Sequence, residues 1–124
     1  MTRILLVEDT EDNREIVRDL IDSIEGYELI EAQDGAEGVA MATAEKPDLI
    51  LMDIQLPVMD GYEATRRIKA NPELKHIPII AVTSYALSGD DDKTREAGCD
   101  GYIAKPISVR SLPEQLAQFL PGGS

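Results

Sequence analysis

Leu49-Ile50-Leu51-Met52-Asp53 is a short apolar run that stops abruptly at a carboxylate. Consecutive large apolar residues leave no polar face, so the run suits a strand buried on both sides. Three other runs have the same form. Ile4-Leu5-Leu6-Val7 ends at Glu8-Asp9, Ile79-Ile80-Ala81-Val82 ends at Thr83, and Tyr102-Ile103-Ala104 ends at Lys105. If the strands are parallel, their polar ends lie along one rim of one sheet. Carboxylates, a hydroxyl and an ammonium then converge, a set suited to a divalent metal and a phosphoryl group.

The intervening segments read as helices. Ile16, Val17, Leu20, Ile21 and Ile24 recur at helical spacing, and Gly26 is expected to close that helix. Tyr27 to Ala32 alternates as a shorter strand. Val39, Ala40 and Ala44 mark an Ala-rich second helix that Pro47 stops. Asp60-Gly61-Tyr62-Glu63 has the pattern of a capping box opening a third helix, which Asn71-Pro72 ends. Ser88 to Ala97 is a weak, very polar helix with Gly98 as its C-cap. The last helix begins at Ser108 or Ser111, where Ser111-Leu112-Pro113-Glu114 is a second capping-box pattern. Leu112, Leu116, Phe119 and Leu120 form its apolar stripe.

Five strands alternating with five helices imply an α/β fold, a doubly wound five-stranded parallel sheet built from βα units. Ligands of such open sheets bind beyond the carboxyl ends of the strands, at the switch point between the first and third. That places Glu8, Asp9 and Asp53 together. Residues 1–121 are expected as one domain and residues 122–124 as a disordered tail, with no linker to a second domain.

Composition narrows the function. A hydrophobic content of 43% fits a globular chain, and the apolar runs are too short to span a bilayer. The N-terminus leads straight into a strand, without a signal-peptide pattern. A single cysteine, Cys99, excludes an intramolecular disulfide and suits a reducing compartment, so a cytoplasmic protein is expected. The net charge of −12 disfavours nucleic acid as a partner.

Clustered carboxylates repel, and a hard cation removes that cost. Mg²⁺ takes oxygen ligands and keeps several waters. Asp9 and Asp53 suit direct ligands, Glu8 suits one acting through water, and a backbone carbonyl such as that of Gln55 can add another. An aspartate beside Mg²⁺ and a lysine can also attack phosphorus. Lys105 would neutralise phosphoryl oxygens and Thr83 would donate to one. Each residue alone has a plainer reading: Asp9 as a helix cap, Lys105 as a solvated charge, Tyr102 as a half-buried strand residue, Cys99 as a buried small residue. His76 reads as a surface residue, and Met41, Met52 and Met59 as packing. Joint placement at four strand ends favours the chemical reading.

The segments Ile4–Asp9, Asp53–Gly61, Ala81–Ala86 and Ala97–Pro106, in this order, resemble a two-component response-regulator receiver domain over essentially the whole chain. The resemblance is to stand-alone receivers of the DivK or chemotaxis type. It implies a flavodoxin-like (βα)5 fold with strand order 2-1-3-4-5. It implies Asp53 as phospho-acceptor, taking a phosphoryl group from a histidine kinase or a histidine phosphotransfer protein. Glu8, Asp9 and Asp53, with the Gln55 carbonyl, would hold Mg²⁺, Lys105 would bind the phosphoryl group, and the peptide before Pro106 would be cis. Thr83 and Tyr102 match a switch pair that remodels the face made by the fourth helix, fifth strand and fifth helix. Such a domain is no enzyme in the ordinary sense: it catalyses its own phosphoryl transfer and dephosphorylation. Its downstream target is unknown, no membrane or nucleic acid is expected, and a phosphorylation-dependent dimer is an open alternative.

Thr10 stands where many relatives carry asparagine, which leaves the first-helix cap undefined. Gln55 and Ser84 sit where family members tune dephosphorylation. Three rivals are weaker, and a fourth alternative stays open. A haloacid-dehalogenase-like phosphatase needs an acidic residue where Gln55 stands. A pseudo-receiver would lack some of the polar positions filled here. A nucleotide or flavin domain would need a glycine-rich loop after the first strand. A receiver cut from a hybrid histidine kinase shares all these motifs.

Overall fold

Strands β1 (Thr2–Val7), β2 (Tyr27–Ala32), β3 (Leu49–Asp53), β4 (Ile79–Thr83) and β5 (Gly101–Ala104) form one parallel sheet in the order β2-β1-β3-β4-β5. The computed structural model describes residues 2–83, 95–105, 107, 108 and 110–120. Helices α1 (Glu11–Asp22), α2 (Gly35–Glu45) and α3 (Gly61–Ala70) and a C-terminal helix (Leu112–Ala117) cover the sheet.

The apolar runs lack polar alternation because both faces are covered. Ile4, Leu6, Leu49 and Leu51 pack on one face with Val17 and Ile21 of α1 and Leu112 and Leu116 of the C-terminal helix. Leu5, Val7, Ile50 and Met52 pack on the other face with Ala42 of α2 and Ala64 and Ile68 of α3. Met41 and Met59 lie against this second layer, so Met41, Met52 and Met59 serve as packing.

In α1 the apolar face differs from the expected stripe. Val17 and Ile21 are buried, Ile16 is 46% exposed, and Arg14 is buried instead. Successive residues turn about 100° round a helix, so Ile16 lies about a third of a turn off the Val17–Ile21 line while Arg14 falls close to it. The helix ends at Asp22 rather than at Gly26. A turn follows, in which Gly26 takes φ +89° and its carbonyl accepts from the Thr2 N–H at 2.8 Å.

In α2 the buried residues are Gly35, Gly38 and Ala42; Ala40 and Ala44 face solvent. Asp34 caps this helix by accepting from the Glu37 N–H, and α3 begins likewise, with Asp60 accepting from the Glu63 N–H at 2.9 Å. The Glu63 carboxylate engages Arg66 and Arg67. The second expected capping box does not form. Ser111 is already helical in conformation and caps nothing, because the Leu112 N–H bonds the Ser108 carbonyl and the turn has begun there.

Arg95–Ala97 are helical, and Gly98, at φ +106°, donates its N–H to the Arg95 carbonyl. The rest of the helix expected over Ser88–Ala97 lies outside the described residues. So do Ser84, Pro106 with the peptide before it, and the tail at 122–124.

Candidate functional site

Strand register brings the polar ends to one rim. Val7 pairs with Met52, Asp53 with Val82, and Thr83 with Ala104, so Glu8-Asp9, Asp53, Thr83 and Lys105 all emerge at the carboxyl ends of adjacent strands. Backbone bonds fix the exits: the Glu8 N–H donates to the Ala32 carbonyl, Ile54 to Val82 and Lys105 to Thr83.

Glu8 and Asp53 are buried and Asp9 is exposed at the mouth. One carboxylate oxygen from each lies within 4.8 Å of the others. An octahedral Mg²⁺ sets its ligand oxygens roughly 3 to 4 Å apart. The three carboxylates are therefore close enough to share one such cation, directly or through bound water. Hard, anionic oxygen donors in a half-buried cleft suit such a cation, and the residues present fit it.

Lys105 supplies positive charge. Its Nζ donates to Asp53 Oδ2 at 2.9 Å and lies 3.5 Å from Glu8 Oε1. Loss of hydration works against the ammonium, but Asp53 and Glu8 outweigh it and raise its pKa above the usual lysine range. The Asp9 carboxyl is also shifted upward, first by desolvation and then by the Glu8 carboxylate beside it. The other Asp53 oxygen accepts from the Gln55 N–H at 3.0 Å, which folds the Gln55 peptide back toward the site. Glu8 is oriented by the Thr10 N–H at 3.1 Å and the Asn13 amide at 3.2 Å. Thr10 is the N-cap of α1 but its side chain caps nothing, so neither Asp9 nor Thr10 is needed to explain the start of that helix.

Two glycines fix the β3–α3 loop. A Cβ on Gly61 would lie 2.3 Å from the Asp53 carbonyl oxygen, and one on Gly35 2.0 Å from that of Met59. Only glycine lets these backbones approach. Within the loop Val58 takes φ +68° and is 86% exposed.

Thr83 is buried at the end of β4, while Tyr102 on β5 is 47% exposed. The two thus occupy neighbouring strands with contrasting environments. Cys99 is half-buried, its Sγ 3.8 Å from the Thr65 hydroxyl, and burial pushes its thiol pKa up. His76 is exposed. Arg14 and Asn13, which the sequence reading passed over, both touch Glu8. The signal was available for Arg14, a charge on the apolar face of an amphipathic helix.

Residues 4–117 match the response regulator receiver domain family. The chain belongs to that family. The polar-differentiation response regulator DivK of Brucella anthropi is 47% identical over 117 residues, 94% of each chain, and DivK of Brucella ovis is equally similar. The receiver domain of a sensor histidine kinase from Pseudomonas aeruginosa, crystallised with a magnesium ion coordinated in its active site cleft, has a TM-score of 0.88 and 40% identity, covering 95% of this chain and 96% of that one. The chemotaxis protein CheY4 of Vibrio cholerae has a TM-score of 0.90 and 28% identity, over 97% and 99% of the two chains. Among the described residues no helix is long and apolar enough to cross a membrane.

Proposed function

We propose that this receiver accepts a phosphoryl group on Asp53 from a phosphohistidine and signals by protein contact. The observation that carries this is the juxtaposition of Lys105 Nζ, 2.9 Å from Asp53, with three carboxylates gathered at the same strand ends. An Asp53 oxygen forms the bond to phosphorus as the donor's P–N bond breaks, the electron pair leaving with the imidazole. No base is needed, because the attacking carboxylate carries no proton. Lys105 shifts from the Asp53 oxygen to a phosphoryl oxygen, and the Gln55 N–H keeps the carboxylate aimed. Mg²⁺ held by Glu8, Asp9, Asp53 and the Gln55 carbonyl would neutralise charge on the phosphoryl group when bound.

Thr83 donates its hydroxyl to the phosphoryl group, and Tyr102 turns inward in response. That changes the surface of β5 and the C-terminal helix. Water attack on phosphorus later releases phosphate and restores Asp53. Similarity to DivK over 94% of both chains supports signalling as a single domain of residues 1–121. A histidine kinase or phosphotransfer protein is the donor, a protein of unknown identity the target, and the cytoplasm the compartment.

Intact mass after incubation with acetyl phosphate tests this. One added phosphoryl group, dependent on Mg²⁺, is expected. Absence of the adduct with both acetyl phosphate and a phosphorylated kinase would overturn it.

A further inference from the structure

We infer that Arg14 is a positioning residue for the acidic loop, and that it sets Mg²⁺ affinity by holding the Glu8 peptide rather than by its charge. This rests on the reading that Glu8, Asp9 and Asp53 hold the metal.

Arg14 sits in the first turn of α1 with its side chain 9% exposed. Its NH1 donates to the Glu8 backbone carbonyl at 2.8 Å. Its NH2 donates to Glu11 at 2.5 Å, and its Nε lies 3.5 Å from Glu31. The backbone is thus held on both sides of the Glu8 Cα. The Glu8 N–H bonds the Ala32 carbonyl of β2, and the Glu8 C=O takes the guanidinium of α1. That carbonyl belongs to the peptide joining Glu8 to Asp9, so its orientation bears on where both carboxylates point. A planar guanidinium makes these contacts together because its donors lie in a fixed fork; an ammonium is a single point with a different reach.

Charge and position predict opposite signs. Removing a cation beside an acidic site deepens its negative potential, so a purely electrostatic role for Arg14 predicts tighter Mg²⁺ binding in Arg14→Met. A positioning role predicts weaker binding. Arg18 supplies the control. It pairs with the same Glu11 and Glu31, and no hydrogen bond or ion pair found for it reaches Glu8.

The experiment is calorimetric titration of Mg²⁺ into wild type, Arg14→Met, Arg14→Lys and Arg18→Met, with the melting temperature of each measured free of metal. Both Arg14 variants are expected to lose about ten-fold in affinity, the scale seen when a group supporting a metal ligand is removed. Arg18→Met should stay close to wild type in affinity whatever its melting temperature. If Arg14→Met does not fold, Arg14→Lys carries the test. Wild-type or tighter affinity in the folded Arg14 variants, with normal binding by wild type, overturns the proposal alone. So does an equal loss in Arg18→Met. A wild type that takes up no Mg²⁺ sinks the underlying reading together with the proposal.

Discussion

Lys105 reaches from the end of β5 past the end of β4 to place its ammonium 2.9 Å from the Asp53 carboxylate on β3. Asp53 is almost fully buried and Lys105 is partly so. A buried carboxylate and its counter-charge form a unit that is costly to break from either side.

Truncating Lys105 leaves Asp53 and Glu8 buried with less compensation. Lys105→Ala should destabilise the metal-free protein by about 1–3 kcal/mol. Mg²⁺ should recover part of this. Because Lys105 is assigned to phosphoryl oxygens, the variant should lose phosphorylation-driven change across β5, read by hydrogen exchange, more than it loses Mg²⁺ affinity. A larger loss in metal affinity would reverse the assignment.

Asp9 gives a pH prediction with a definite sign. Its folded pKa lies above the ordinary aspartate value. Its stabilising contribution is therefore present below that ordinary value and lost as pH rises through the folded one. At neutral pH the ionised Asp9 works against the metal-free fold. Asp9→Asn should raise the melting temperature in chelator by a few degrees and shrink the gain on adding Mg²⁺. An unchanged Mg²⁺-induced gain would remove Asp9 from the metal site.

Lys105 titrates at the other end of the scale. Its folded pKa is raised, so its contribution holds below the ordinary lysine range and fades as pH climbs through the folded value. Metal-free wild type should lose stability more steeply than Lys105→Gln under strongly alkaline conditions, measured by denaturant unfolding. Parallel curves would contradict this.

The β3–α3 loop carries both strain and a close contact. Val58 holds a left-handed φ that costs a β-branched residue about 1 kcal/mol, and its exposed side chain has little packing to lose. Val58→Asn should be stabilising by up to about 1 kcal/mol. Gly61→Ala should cost at least about 2 kcal/mol, because its Cβ would enter the Asp53 carbonyl. Thermal unfolding of the two variants checks both signs.

Much of this was legible because two-sided burial writes itself as uninterrupted apolar runs. Leu49–Asp53 shows its strand, its end and the proposed phospho-acceptor in five letters, and the observed strand spans that run. The neighbours in the sheet were less legible, since register and order depend on contacts distant in sequence; order 2-1-3-4-5 came from the family resemblance. Periodicity also misled locally. Ile16 matched the spacing of α1 yet points outward, whereas Arg14 lies under the helix. A hydrophobicity pattern weights a buried arginine as polar, although its stem is apolar and its head is matched by Glu8, Glu11 and Glu31. Cap patterns were reliable where the backbone left an extended residue at the N-cap, as at Asp60. They failed at Ser111, where the chain had already turned.

Borohydride reduction of the phosphorylated protein tests the central claim most directly, since it converts an aspartyl phosphate to homoserine that peptide mass mapping can locate. After Mg²⁺-dependent phosphorylation, homoserine should appear at position 53 alone, and Asp53→Asn should yield none. Label at Asp9, Glu8 or any other residue, or undiminished labelling in Asp53→Asn, would contradict the account.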